Sequence, residues 1–357
     1  MNHPRTGQAG TARLTDLLEI EAPVVLGPFG GVSSVALTAA VSDGGGLGSF
    51  GLYGFDAAAI ERTAAALRAA TARPFALNLW IPTGTETTDL PVADFQRYVG
   101  ILKPYFDELD LPLPDMPDRY LPDYGEQVAA TLAARPAVVS FVFGVPAPEV
   151  VEAAHRLGIK VLGTATTVAE AVALEAGGVD AVVASGMESG GHRVSFLAPA
   201  GESLVGTFAL VPQVADAIHI PVIAAGGIAD RRGVAAAFAL GADGVQVGTA
   251  FLATGESAAV PAYRSLLRSP AAGTTVLTRA MSGRLARGLP NRVTAELEDA
   301  ALVAPFPIQN WLTGKFRPQA AAAGNTDLMS LWAGQAAPLL RHGTAAEVLA
   351  ELFAGAP

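Results

Sequence analysis

Short apolar runs alternate along the chain with longer segments whose apolar residues recur at helical spacing. Pro23–Phe29 (PVVLGPF) is short, β-branched and Gly-bounded, which predicts a first buried strand. Val35–Asp43 follows as a helix and Leu47–Gly51 as a second strand. Asp56 is placed to cap a helix over Ala57–Ala70, where Ile60, Ala64 and Leu67 share one face. Pro74–Pro82 (PFALNLWIP) and Ala137–Gly144 (AVVSFVFG) read as the third and fourth strands. Pro148–Leu157 is helical, Ile159–Ala165 is the fifth strand, Val168–Ala176 its helix, and Ala181–Gly186 the sixth strand. After a Gly-rich loop come a helix over Thr207–Ile218, a seventh strand over Pro221–Gly227, a helix over Arg232–Leu240 and an eighth strand over Gly244–Leu252. Near-continuously apolar strands separated by helices imply a parallel sheet buried on both faces. An open, doubly wound sheet uses the same alternation. Eight units, with glycines clustered at the last two strand ends, favour a closed (β/α)8 barrel, an α/β fold.

Two stretches fall outside this repeat. Thr83–Asp123, after the third strand, is Pro- and Asp-rich with a short amphipathic piece around Phe95–Phe106. In a barrel such an insertion lies on the catalytic face. Beyond Leu252, Tyr263–Arg268 completes the eighth helix, and Thr274 onward reads as a cap of loops and helices without a separating linker. The expected organisation is an N-terminal segment (1–22), a barrel (23–268, insertion about 83–123) and a C-terminal cap packed on it (269–357).

Composition narrows the chemistry. Of 357 residues, 51% are hydrophobic and 16% charged, which is globular and excludes a disordered acidic chain. The net charge of −10, with no basic cluster, argues against a nucleic-acid partner. The chain has no cysteine, so disulfides, thiolate nucleophiles and Cys-ligated metals are out of reach. Met1–Thr11 lacks the apolar run of a signal peptide, and Gly, Pro or charge interrupts every candidate membrane span. The expectation is a soluble, cytoplasmic protein with no bound metal and with a homodimer as one arrangement open to it.

Two glycine-bearing strand ends stand close together, Ala224-Ala225-Gly226-Gly227-Ile228 and Gln246-Val247-Gly248-Thr249. Glycines just past a strand let backbone amides approach an anion, helped by a neighbouring helix N-terminus, and in barrels the loops after strands seven and eight commonly hold phosphate. The alternative is that these glycines only permit tight packing. The sixth strand runs into Ser185-Gly186-Met187-Glu188-Ser189-Gly190-Gly191-His192, whose glycines leave room for a planar ligand. An imidazole there can act as base or hydrogen-bond donor, although a structural histidine is the commoner role. His3, His155, His219 and His342 sit in less suggestive places. Asn78 is a lone amide in an apolar strand and needs a partner, either backbone or a heterocycle. Trp80 and Phe29 are of types that more often fill a core than touch a cofactor.

At these residues the chain resembles a known family. SGMESGGHR (Ser185–Arg193), LVPQVADAIHIPVIAAGGIADRRG (Leu210–Gly233) and LGADGVQVGTAFLATGES (Leu240–Ser257) are similar to nitronate monooxygenases and to their relative, the FMN-dependent enoyl-acyl-carrier-protein reductase. GPFGGVSSVALTAAVSDGGGLGSFG (Gly27–Gly51) fits both, whereas TRAMSGRLARGLPNR (Thr278–Arg292) and SLWAGQ (Ser330–Gln335) resemble the monooxygenases. The resemblance implies FMN bound by Pro28, Phe29, Gly30, Asn78, Ser185, Gly190, Gly191, Gly226, Gly227, Gln246, Val247, Gly248 and Thr249, with His192 catalytic. It also implies oxidation of alkyl nitronates, or of nitroalkanes, with O2 to carbonyl compounds and nitrite. Departures from the family pattern are Ser185 for a common Gln, Ser189 for Ala, Val194 for Gly and Phe29 for Met. The alternative on the same site is an NAD(P)H-dependent reductase of quinones or enoyl thioesters, and a more distant one is a flavin-free barrel that binds a phosphorylated ligand.

Overall fold

A computed structural model describes residues 7–356, with side chains from Ala12 onward. Its strands are β1 (Val24–Leu26), β2 (Gly48–Gly51), β3 (Phe75–Trp80), β4 (Val138–Val142), β5 (Lys160–Ala165), β6 (Ala181–Ser185), β7 (Gly191–His192), β8 (Val222–Ala225), β9 (Gly244–Val247), β10 (Val276–Thr278) and β11 (Ala286–Gly288). Eight of them form one parallel sheet in the order β1-β9-β8-β6-β5-β4-β3-β2. A bridge between Val25 and Leu47 joins the two ends. There the Leu26 N–H donates to the Leu47 carbonyl and the Leu47 N–H to the Val24 carbonyl, each at 2.9 Å. The sheet therefore closes into a (β/α)8 barrel, as the alternation predicts.

Side-chain alternation splits the apolar residues into two cores. Val25, Ala76, Val138, Leu162, Ala181, Val183 and Ile223 fill the barrel, and Leu14, Leu18 and Ile20 join them. The last three belong to a helix, Gly7–Leu18, and the turn after it. The sequence analysis gives residues 1–22 as an N-terminal segment with no element of its own, whereas Leu14, Leu17 and Leu18 seat a helix against the barrel core. The outward residues, such as Val24, Val139, Val161, Val182, Val222 and Val245, pack under the surrounding helices. Close approach is built in at Gly48, where a β-carbon would stand 2.0 Å from the Thr38 carbonyl oxygen of the neighbouring helix. Asp56 caps the helix Ala57–Ala70 as predicted, its Oδ1 accepting from the Ala59 N–H at 2.7 Å.

Three segments differ from the sequence expectation. The eighth strand stops at Val247, and the chain then coils into a helical turn, Thr249–Leu252, because the residues after Gly248 bury under the cap instead of pairing. The amphipathic piece of the insertion is a full helix, Val92–Glu108, that buries Phe95, Tyr105 and Phe106. Those rings meet Trp311 and Phe316 of the helix Ile308–Ala322, so the insertion props the C-terminal segment from outside. The third is a small antiparallel sheet, β10-β11-β7, which the loop-like composition of the cap concealed. It pairs His192 with Ala286 and Gly191 with Arg287, fastening the loop after β6 to the C-terminal segment.

Candidate active site

A cavity of about 540 Å3 opens at the C-terminal ends of the barrel strands, within the size range of small-molecule sites. Pro28, Phe29 and Gly30 after β1, Asn78 in β3, Ser185 in β6, Gly190, Gly191 and His192 beyond it, Gly226 and Gly227 after β8, and Gln246, Gly248 and Thr249 at the end of β9 all line it. These are the residues singled out from sequence, with one exception. Val247 does not line the cavity: its side chain is buried in the outer core, and its carbonyl accepts the Gly27 N–H at 2.9 Å. His155 pairs with Asp180, while His219 and His342 lie near Glu175 and Glu351, all away from the cavity. His3 lies outside the described residues.

The late glycine motifs leave four backbone N–H groups without a partner at the cavity. The N–H groups of Gly226, Gly227, Gly248 and Thr249 donate to no other group among the described residues. Such amides are costly to leave unpaired unless a ligand or water takes them. Gly226 and Gly227 have φ of 104° and 73°, a conformation that favours glycine and that turns both amides past the strand end. The helix-dipole contribution expected here does not come from Arg231–Ala239, since the Asp230 side chain already accepts from the Arg232 and Gly233 amides. On the opposite type of surface, Asn78 donates to the Ser140 carbonyl and hydroxyl at 3.2 and 3.0 Å and keeps its side-chain oxygen free. Ser185 donates to Ser189 at 3.1 Å, so two of the departures from the family pattern are partners of each other. Val194, a third, packs with Val142, Phe143 and Trp80.

His192 is held by the cap. Its Nε2 lies 2.9 Å from the Ser282 hydroxyl, which itself lies 3.1 Å from the Arg284 carbonyl. A hydroxyl has one proton. Given to that carbonyl, it leaves the Ser282 oxygen to accept from Nε2–H, and the lone pair of the imidazole then sits on Nδ1, which has no partner among the described residues. The half-buried ring faces the cavity and is walled by protein on its other sides. That burial, with the charges of Arg284 and Arg317, pushes its pKa down to about 3 and keeps it neutral. Trp80 approaches it edge-on at 4.9 Å and Trp332 at 5.3 Å. Trp80 is thus a wall of the site, against its expectation as core. Tyr53, Asn310, Arg317, Ser330 and Trp332 also line the cavity and were not read as site residues from sequence. Their one advance signal is Arg317 beside Phe316, a cation on the buried side of an amphipathic helix.

The loop beyond His192 depends on a buried carboxylate. Glu170, fully buried, accepts from the Thr166 N–H and hydroxyl at 2.6 and 2.7 Å and from the Phe196 and Leu197 amides at 2.6 and 3.2 Å. Replacing it with alanine strands four donors. We expect Glu170→Ala to lose roughly 2–4 kcal/mol of stability, read from urea unfolding at unchanged slope. A loss under about half a kcal/mol would mean that the loop holds without it.

A barrel whose mouth brings unpartnered backbone amides and an imidazole into one cavity has the layout of an enzyme's small-molecule site. The chain matches the family model described as nitronate monooxygenase over residues 11–355. It is 37% identical over 343 residues to a probable nitronate monooxygenase of Staphylococcus aureus strain Newman, covering 96% of both chains. The solved structure of nitroalkane oxidase from Streptomyces ansochromogenes is 38% identical, with a TM-score of 0.86 and coverage of 96% of this chain and 97% of that one. FabK from Thermotoga maritima is 30% identical, with a TM-score of 0.74 and coverage of 96% and 95%. The chain belongs to the nitronate monooxygenase family, a family of flavin-dependent oxidoreductases, and is an enzyme of that class. Among the described residues no helix is long and apolar enough to cross a membrane.

Proposed function

We propose that the protein is an FMN-dependent nitronate monooxygenase that converts alkyl nitronates and O2 to carbonyl compounds and nitrite. The observation that carries this reading is that one cavity holds both the four unpartnered amides and the neutral, cavity-facing imidazole of His192. Gly226, Gly227, Gly248 and Thr249 would hold the phosphate of FMN, and Pro28, Phe29, Gly30, Asn78, Ser185, Gly190, Gly191 and Gln246 would border the rest of it. When bound, FMN supplies the electron transfer that no side chain can. His192 would orient the nitronate through its free nitrogen or, with a neutral nitroalkane, receive the α-proton there. Trp80 and Trp332 would keep water from the reacting carbon. The likeness to FabK supports a second reading, NAD(P)H-driven reduction at the same site.

Anaerobic mixing separates the two. The purified protein should show flavin bands near ~370 and ~450 nm, bleached by a nitronate and not by NADH or NADPH. Bleaching by NAD(P)H alone would favour the reductase, and a protein that stays colourless after incubation with FMN would remove both readings.

A further inference from the structure

Arg317 sits in the cavity wall, on the cap helix Ile308–Ala322, and the catalytic scheme above does not use it. Its Nη1 donates to the Ser330 hydroxyl at 2.7 Å, and its Nη2 donates to the Asn310 carbonyl and side-chain oxygen at 3.1 and 3.0 Å. These partners are all neutral. No carboxylate lies within ion-pair distance of Arg317 among the described residues, whereas Arg284, the other arginine near His192, is paired with Glu86. Three of its five N–H groups are occupied, which leaves two donors and a whole positive charge uncompensated. A half-buried guanidinium in a cavity wall, with no carboxylate to pair with, is a ready partner for an anionic ligand.

The surroundings place that charge beside the reacting region. Asn310, which holds Arg317, donates to the Tyr53 hydroxyl at 2.9 Å. The Tyr53 ring lies 4.3 Å from Trp80, which in turn lies 4.9 Å from His192. The electrostatic influence of Arg317 reaches the imidazole itself and helps to hold it neutral, and among the described residues this cavity-lining guanidinium has no carboxylate partner. We infer that Arg317 is the residue that selects the anionic form of the substrate, supplying the counter-charge to the two oxygens of a nitronate and disfavouring its neutral nitroalkane parent. The inference rests on the nitronate reading. Its chemistry is wider than that reading, because any small planar oxyanion, nitrate or nitrite included, should occupy the same place.

Arg317→Met removes the charge at similar length, and Arg317→Lys keeps it. In flavin-loaded Arg317→Met, kcat/KM for a preformed nitronate should fall about 10- to 100-fold, the worth of a hydrogen bond to a charged group, mostly through KM. The parent nitroalkane should lose less than about threefold, and Arg317→Lys should recover part of the loss. Independently of turnover, nitrate should perturb the flavin spectrum and the tryptophan fluorescence of the parent protein saturably, and this response should weaken by the same factor in Arg317→Met. Equal losses on both substrates, or nitrate binding unchanged by the substitution, would overturn the inference. So would a parent protein that binds no nitrate, a result that stands even if Arg317→Met does not fold. A parent protein that binds nitrate through Arg317 but does not turn over nitronates would sink the proposed reaction and leave the anion site standing.

Discussion

Alanine at His192 is expected to lower turnover of a neutral nitroalkane by roughly 10²–10⁴-fold, the usual cost of losing a positioned acid–base group, while flavin stays bound. The proposed cofactor cradle is backbone at the ends of β8 and β9, remote in sequence from His192, so cofactor content should survive the change. A preformed nitronate has already lost its proton and should suffer less. Equal losses on the two substrates would assign His192 to holding charge in place of taking a proton, and parental rates on both would make it structural. The Ser282 contact sharpens the test. With Nε2 committed to that hydroxyl, only Nδ1 is left for the substrate, so His192→Gln, whose amide can replace the Ser282 hydrogen bond but has no basic nitrogen, should not restore proton abstraction.

The same geometry sets a pH dependence. An ordinary histidine takes up a proton as pH falls through about 6.5. His192, desolvated in the cavity wall and under the charges of Arg284 and Arg317, does so only near pH 3. Its neutral form therefore persists across the whole physiological range, and kcat/KM on a preformed nitronate should show no histidine-type inflection between about pH 5 and 8. An inflection near 6.5 that disappears in His192→Ala would contradict the electrostatic picture. The depressed pKa also makes His192 a weak base toward a carbon acid, so the nitroalkane should be the slower substrate even in the parent protein.

Much of this was legible in the chain because periodicity is a property of continuous segments. Strands such as Val138–Val142 are buried on both faces and so are apolar at every position, while helices such as Ala57–Ala70 carry an N-cap and a regular stripe. The glycine motifs were legible for the same reason, each lying within a few residues of a strand end. What stayed hidden depends on contacts between distant parts. The pairing of His192 with Ala286 spans most of the C-terminal half, and neither partner carries a strand signal of its own. Trp80 looked like core because a tryptophan in an apolar strand is the same residue whether it faces a helix or a cavity. Val247 shows the reverse error. It sits inside the Gln246–Thr249 motif, but alternation along β9 turns its side chain outward, leaving Gln246 and Gly248 to face the cavity.

Leucine at Gly227 is expected to weaken FMN binding by about 10- to 100-fold or more, the equivalent of one or two charge-assisted hydrogen bonds, in a protein that still folds. The position separates two effects. A β-carbon at Gly227 meets nothing nearer than Glu188 Cβ at 3.7 Å, so the first atom of a side chain has room there. It differs in this from Gly226, where a β-carbon would lie 2.6 Å from the Ser189 hydroxyl. The cost to the fold is then the left-handed backbone, φ 73°, about 1–2 kcal/mol for a residue with a β-carbon. Gly227→Ala carries that strain with almost no bulk, whereas Gly227→Leu adds bulk at the mouth of the amide cradle. Thermal unfolding of the two apoproteins should therefore be alike, while FMN affinity, followed by quenching of FMN fluorescence, should fall much further for leucine. Affinities that fall equally would mean that backbone geometry alone matters. An unchanged affinity in soluble Gly227→Leu would show that the phosphate lies elsewhere and that the free amides at the ends of β8 and β9 serve some other anion.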